Sequence, residues 1–317
     1  MRCGTRYLAT TSAVLTLCGG CIRETSHRSG SSTLPQGHHE AILNGVKIAY
    51  HVFGHGRPCI AFPGGPGVEW IYLRMPAVEK NLTMIYIEPI GTGGSARLGS
   101  KADYSRARDL ADLEALRAHL GLDRVFLLGH SYGGFVALEY ALAHAGRVAG
   151  LILYDTAAAD RDEKQWGLVE QRMKRFSDRP WYEDAAAAWA VDRASSDAEA
   201  HDLWMRYHRF FFFDYDSRKD VYDGVLAPVR NSVVRMLAIQ QPFDVRPRLS
   251  SIGVPTLVIV GAADLITPPG MAEEIHRGIA GSRLVVLERS GHFGHIEEPL
   301  AFAAAVATWL RSTNSSQ

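Results

Sequence analysis

From residue 41 onward the chain keeps one rhythm, in which short β-branched apolar runs alternate with longer stretches whose apolar positions recur every three or four residues. That alternation predicts βαβ units and a mostly parallel sheet flanked by helices. The expected strands are 46–52, 59–62, 83–88, 125–128, 150–154, 256–260 and 283–287. Several are apolar at successive positions, the pattern of strands covered on both faces. Between residues 156 and 244 the rhythm stops, and the sequence becomes helical in pattern, aromatic and charged. This predicts a helical cap, 156–244, inserted into an α/β core made of 41–155 and 245–313. Trp166, Trp181, Trp189, Trp204 and the phenylalanine run 210–213 fall in the cap. Laid over the core, those aromatics could line a substrate pocket, with mutual packing of cap helices as the competing explanation.

The first residues follow a different pattern. Arg2 and Arg6 precede a mostly apolar run, 7–17, and then Gly19 and Gly20, which is the layout of a secretory signal peptide over residues 1–21. The run is about half the length a membrane-spanning helix needs. Gly20-Cys21 also resembles a lipoprotein processing signal, although Cys18 stands where that pattern usually has leucine. A lipidated Cys21 would attach the chain to a membrane. The expected location is therefore exported, secreted or membrane-anchored, with a cytoplasmic enzyme carrying a disordered tail as the alternative. Residues 22–40, rich in Ser, Gly, Thr and His, predict a flexible tether, because so little apolar surface cannot offset the entropy of ordering a backbone.

Composition narrows the partners. Lys plus Arg and Asp plus Glu each number 34, so no global charge favours a nucleic acid, and a small molecule or short peptide is the expected substrate. Of the four cysteines only Cys59 lies beyond the leader, which excludes an internal disulfide in the domain. Its apolar surroundings predict a buried strand residue rather than a reactive thiol.

The strongest chemical signal is Gly129-His130-Ser131-Tyr132-Gly133-Gly134, between an apolar run and a helical pattern. Strand, sharp turn and helix are what a nucleophile elbow requires, with glycines where the turn leaves no room for side chains. A serine hydroxyl needs a base, and among 13 histidines His292 is the one placed just past the last expected strand; His295 is its nearest competitor. Asp264, in the loop after strand 256–260, is the expected orienting acid, and Asp155, at the end of strand 150–154, competes with it. The backbone N–H groups of Gly65 and Tyr132 are the expected oxyanion donors. Gly91 to Ser95 lacks the lysine and spacing of a phosphate loop and reads as a turn. His38 and His39 fall in the expected tether without partner ligands, so no metal is expected, and the chemistry needs no cofactor.

Together these segments resemble the α/β-hydrolases of the proline iminopeptidase type, over about residues 41–310, closely in the core and weakly in the cap. That family usually has H-G-G-P-G, and this chain has Pro63-Gly64-Gly65-Pro66-Gly67. It usually has D-x-x-G-x-G-x-S, and this chain has Glu88-Pro89-Ile90-Gly91-Thr92-Gly93-Gly94-Ser95. The resemblance implies the α/β-hydrolase fold and release of an N-terminal residue, often proline, with cap carboxylates holding the substrate's amine. Glu170, Glu183, Asp184 and Asp192 are the candidates, and ordinary surface charge is the competing explanation for each. The same core also serves esterases, lactonases and amidases, so resemblance leaves the substrate open. The expected reaction is acyl transfer through Ser131, His292 and Asp264, fading as pH falls through the ordinary histidine range near about 6.5. The alternatives are an esterase or lactonase on a small molecule, a ligand-binding protein without turnover, and a lyase using the same three side chains.

Overall fold

The computed structural model describes residues 34–314 except residue 192. The expected signal peptide 1–21, and the expected tether as far as residue 33, lie outside the described residues. The strands are β1 (Gly37–Leu43), β2 (Val46–Gly54), β3 (Arg57–Phe62), β4 (Leu82–Ile87), β5 (Val125–His130), β6 (Val148–Tyr154), β7 (Thr256–Gly261) and β8 (Arg283–Leu287). They form one sheet in the order β1-β2-β4-β3-β5-β6-β7-β8. β2 runs antiparallel to both β1 and β4, and every pairing from β4 through β8 is parallel.

The seven strands expected from the pattern are all present. β4, β5 and β7 are buried at every position, which is why their sequences show no alternation. Alternate residues still feed different layers. Val125 and Leu127 pack with Val136 and Ile275, whereas Phe126 and Leu128 pack with Phe302 and Trp309. The helices α1 (Arg106–His119) and α2 (Tyr132–Ala143) contribute to the first of these layers. Cys59 is fully buried in β3, and burial pushes its thiol far above the ordinary range, so it is inert.

The expected tether ends too late. Residues 37–43 form β1, paired position by position with β2 from Gly37 opposite Val52 to Leu43 opposite Val46. Asn44 and Gly45 make the turn with φ of 50° and 80°, the left-handed pair that joins two antiparallel strands in two residues. The strand is polar because it is the sheet edge, and its first four residues are at most half-buried.

Between β6 and β7 the chain leaves the core and builds helices Glu163–Met173, Tyr182–Trp189, Asp197–Tyr207, Lys219–Leu226 and Val233–Ala238. Its two crossings lie side by side: Ala159 bridges Asp244, and Asp160 N–H donates to Phe243 O at 2.8 Å. A buried ion pair fastens the returning end, with Arg235 Nη2 at 2.7 and 2.6 Å from the two Asp109 oxygens. Both side chains are 1% exposed, and Tyr132 Oη donates to the same carboxylate at 2.7 Å. Among the described residues no helix is long and apolar enough to cross a membrane.

Candidate active site

Ser131 sits between the end of β5 and the start of α2 with φ 52° and ψ −119°, a conformation that favours glycine. Its surroundings enforce the turn. Ser131 N–H donates to Tyr154 O at 3.0 Å, and Thr156 Oγ1 donates to Ser131 O at 2.7 Å. A Cβ on Gly133 would stand 2.2 Å from Phe62 O, and one on Gly129 would stand 2.3 Å from Gly133 O. The glycines are thus fixed by close backbone approach, and the serine side chain is left facing the cavity.

His292 lies on the loop after β8, and its Nδ1 is 2.8 Å from Asp264 Oδ2. The carboxylate only accepts, so Nδ1 carries the proton and Nε2 is free to act as a base. Asp264 is itself saturated by donors: Ile266 N–H at 2.8 Å, Thr267 N–H at 3.1 Å and Thr267 Oγ1 at 2.7 Å. Burial pushes its carboxyl up, but His292 and the Thr267 donors together outweigh burial and hold it below the usual range. Asp155 does not reach this position. Its Oδ1 accepts from Gly261 N–H at 2.9 Å, its Oδ2 has no partner among the described residues, and burial with the nearby Asp264 charge pushes its carboxyl well above the usual range.

His295 is buried rather than a loop histidine. Nε2 donates to Tyr72 O at 2.8 Å, so Nδ1 accepts from Tyr154 Oη at 2.9 Å, and burial lowers its pKa to about 4. His130 is arranged similarly. Its Nε2 donates to His292 O at 2.9 Å, so Nδ1 accepts from Tyr72 Oη at 2.7 Å, and that hydroxyl accepts from Gly64 N–H at 2.6 Å. One chain of hydrogen bonds therefore joins the Gly64–Gly65 loop, the elbow and the histidine loop. Tyr72 and His130 carry no sequence signal for this role, because the partners lie 58 and 162 residues apart along the chain.

Tyr132 is the first residue of α2, so its N–H is one of the donors without an intrahelical acceptor. Gly65 has φ 55°, and its N–H makes no hydrogen bond among the described residues. Gly64, Gly65, Ser131 and His292 line one cavity of about 200 Å³. No hydrogen bond joins Ser131 Oγ to His292 among the described residues; such contacts commonly tighten only around bound substrate.

The cap closes the cavity with Trp166, Trp189, Trp204, Tyr207 and Phe211. Trp181 is not among them; it packs on Phe176 and Phe210 and donates to Asp216 at 2.8 Å. A neighbouring cavity of about 240 Å³ shares Trp166, Trp189, Tyr207 and Met236 with the first. Among the described residues no carboxylate lines either one. Glu170 and Glu183 are exposed, Asp184 is paired with Arg206 at 2.9 Å, and Asp192 lies outside the described residues.

The phenylalanine run rests directly on the histidine loop. His292 N–H donates to Phe211 O at 2.6 Å, and Glu297 bridges the two segments by accepting from Gly291 N–H at 2.6 Å and Phe213 N–H at 2.7 Å. Burial raises the Glu297 carboxyl to about 7. The segment Gly91 to Ser95 is a turn, as read from the sequence, with Ser95 Oγ donating to Glu88 O at 2.6 Å.

Comparison with known proteins agrees with this geometry. A proline iminopeptidase of Saccharolobus solfataricus is 29% identical over 274 residues, covering 80% of this chain and 86% of that relative. An esterase from Rhodococcus sp. ECU1013 superposes with a TM-score of 0.69 at 20% identity, over 88% of this chain and 100% of the other. The enol-lactonase of Burkholderia xenovorans LB400 gives 0.67 at 23% identity, over 86% and 100%. The model of the alpha/beta hydrolase fold matches residues 58–299, from the oxyanion-side strand through the histidine loop, and the chain belongs to that family of hydrolases.

Proposed function

We propose that this hydrolase cleaves neutral carboxylic esters with an apolar acyl or alkyl group, through a covalent acyl-enzyme on Ser131. The observation that carries the substrate class is the cavity wall: aromatic side chains of the cap face Ser131, and no described carboxylate does. A free amine buried there would have no counter-charge, at a cost of several kcal/mol. An uncharged ester loses only water from apolar surface, which favours binding by about 25 cal/mol per Å².

In this reading Ser131 Oγ attacks the ester carbonyl while His292 Nε2 takes its proton. Asp264 stabilises the imidazolium, and the Gly65 and Tyr132 N–H groups receive the oxyanion. The imidazolium then protonates the departing alcohol. Water attacks the acyl-enzyme by the same route in reverse, and Ser131 is restored.

The second reading is an aminopeptidase, favoured by the similarity to the Saccharolobus solfataricus enzyme. A panel separates the two: p-nitrophenyl esters of increasing acyl length against proline and other aminoacyl anilides, with wild type and Ser131→Ala. Ester turnover that vanishes in Ser131→Ala is the expected result. A preference for free-amine anilides would overturn the ester reading, and turnover surviving in Ser131→Ala would overturn the nucleophile assignment.

A further inference from the structure

Along the chain His38 has no partner ligands near it, so no metal is expected there. The structure removes that reason. β1 places His38 directly opposite His51 on β2, with ring centroids 4.8 Å apart. Glu88, just past the end of β4, reaches the same spot from a third strand, its Oε1 2.5 Å from His51 Nε2. One ligand atom from each of His38, His51 and Glu88 lies within 4.8 Å of the other two. None of the three lines the cavity beside Ser131, and β1, β2 and β4 stand four, three and two places from the Ser131-bearing β5 in the sheet order.

Two members of the cluster are held by neighbours and the third is exposed. The His51 ring stacks on Trp70 with centroids 4.0 Å apart, and the second Glu88 oxygen accepts from Gly94 N–H. The Glu88 side chain is 4% exposed and that of His51 14%, whereas the His38 side chain is 51% exposed. Glu40, whose Oε1 is 3.6 Å from His38 Nε2, adds negative charge beside the exposed ring.

We propose that His38, His51 and Glu88 bind one divalent transition-metal ion of the zinc class. Two imidazoles and a carboxylate suit zinc, nickel or copper, whereas magnesium and calcium prefer sets made of oxygen. Metal–nitrogen bonds of about 2.0 to 2.1 Å bring tetrahedral ligand atoms to roughly 3.4 Å, so binding swings the exposed His38 ring inward and opens the 2.5 Å His51–Glu88 contact by roughly 1 Å. Coordination takes the imidazoles in their neutral form, and Gly94 N–H continues to orient the Glu88 carboxylate. The ion would staple the edge strand β1 to β2 and to the turn after β4. Ring stacking and the backbone bond to Gly94 prepare two ligands, and solvent access at His38 provides the entry path.

The test is equilibrium dialysis of the full chain against Zn²⁺ with metal analysis, paired with thermal denaturation, on wild type, His38→Ala and His51→Ala. Wild type should bind one equivalent more than either variant, or bind it at least about tenfold more tightly. Zn²⁺ should raise the wild-type Tm and leave that of His38→Ala unmoved. Mg²⁺ at the same concentration should change neither protein. Equal zinc content, affinity and Tm response in wild type and His38→Ala would overturn the proposal. His38 is exposed, so its variant folds and decides the matter even if His51→Ala does not.

Discussion

Replacing Ser131 by glycine should abolish turnover and make the protein more stable than the alanine variant does. The Ser131 backbone, at φ 52° and ψ −119°, is held by Tyr154 O and by the Thr156 hydroxyl, neither of which touches the serine side chain. A residue with a Cβ pays about 1–3 kcal/mol for such a conformation. Alanine keeps that strain, and glycine removes it. Against this, glycine gives the unfolded chain extra freedom worth about 0.5–1 kcal/mol. The net preference for Ser131→Gly over Ser131→Ala is then about 1 kcal/mol, or roughly 2–4 °C in Tm for a domain of this size. At an unstrained site the order is reversed. Urea denaturation of the two variants side by side measures the difference, and fluorophosphonate labelling verifies that both are inert. If Ser131→Ala proves equal to or more stable than Ser131→Gly, the strained elbow is not a feature of this protein.

Substitutions at two carboxylates, Asp109 and Glu297, probe how the cap is fixed. Asp109→Ala leaves Arg235 buried without a counter-charge and should cost about 3–5 kcal/mol, whereas Asp109→Leu combined with Arg235→Met should recover most of it; a urea midpoint unchanged in Asp109→Ala would refute the anchoring role. Glu297 holds its proton to about pH 7 in the folded state against an ordinary value near 4.5, so its stabilising contribution is complete below about pH 4.5 and is lost as pH rises through 7. The stability difference between wild type and Glu297→Gln should shift by at most about 3 kcal/mol in favour of the variant across that window, and parallel stability–pH curves would count against the burial of this carboxyl.

Where the sequence was legible, and where it was not, follows from how far apart interacting residues lie. The buried strands were plain because each carries its own signal, an apolar run that no other element supplies. The elbow was plain for a similar local reason: Gly129, Gly133 and Ser131 all belong to one turn, and the glycines answer contacts with Phe62 O and with each other. β1 was missed because an edge strand needs little apolar surface, although Asn44-Gly45 did mark its turn. Residues such as Tyr72, His130 and Arg235 carry no local signal at all. Tyr72 reads as a core aromatic until its hydroxyl is seen between Gly64 N–H and His130.

The same distinction explains why the proposed substrate class has no local signal in the sequence. Ser131, Asp264 and His292 each follow a strand end that carries its own signal, so their positions could be read without knowledge of the cap. The cavity wall instead comes from Trp166, Trp189, Trp204 and Phe211, whose placement over Ser131 depends on how cap helices return to the core. That return is set by Arg235 on Asp109 and by Phe211 and Phe213 on the histidine loop, contacts that cross 126 residues in one case and 84 in another. Because Asp109 also receives the Tyr132 hydroxyl, and Tyr132 begins the helix behind Ser131, the contact that seats the cap also braces the elbow. The returning cap and the helix behind Ser131 therefore share one buried carboxylate.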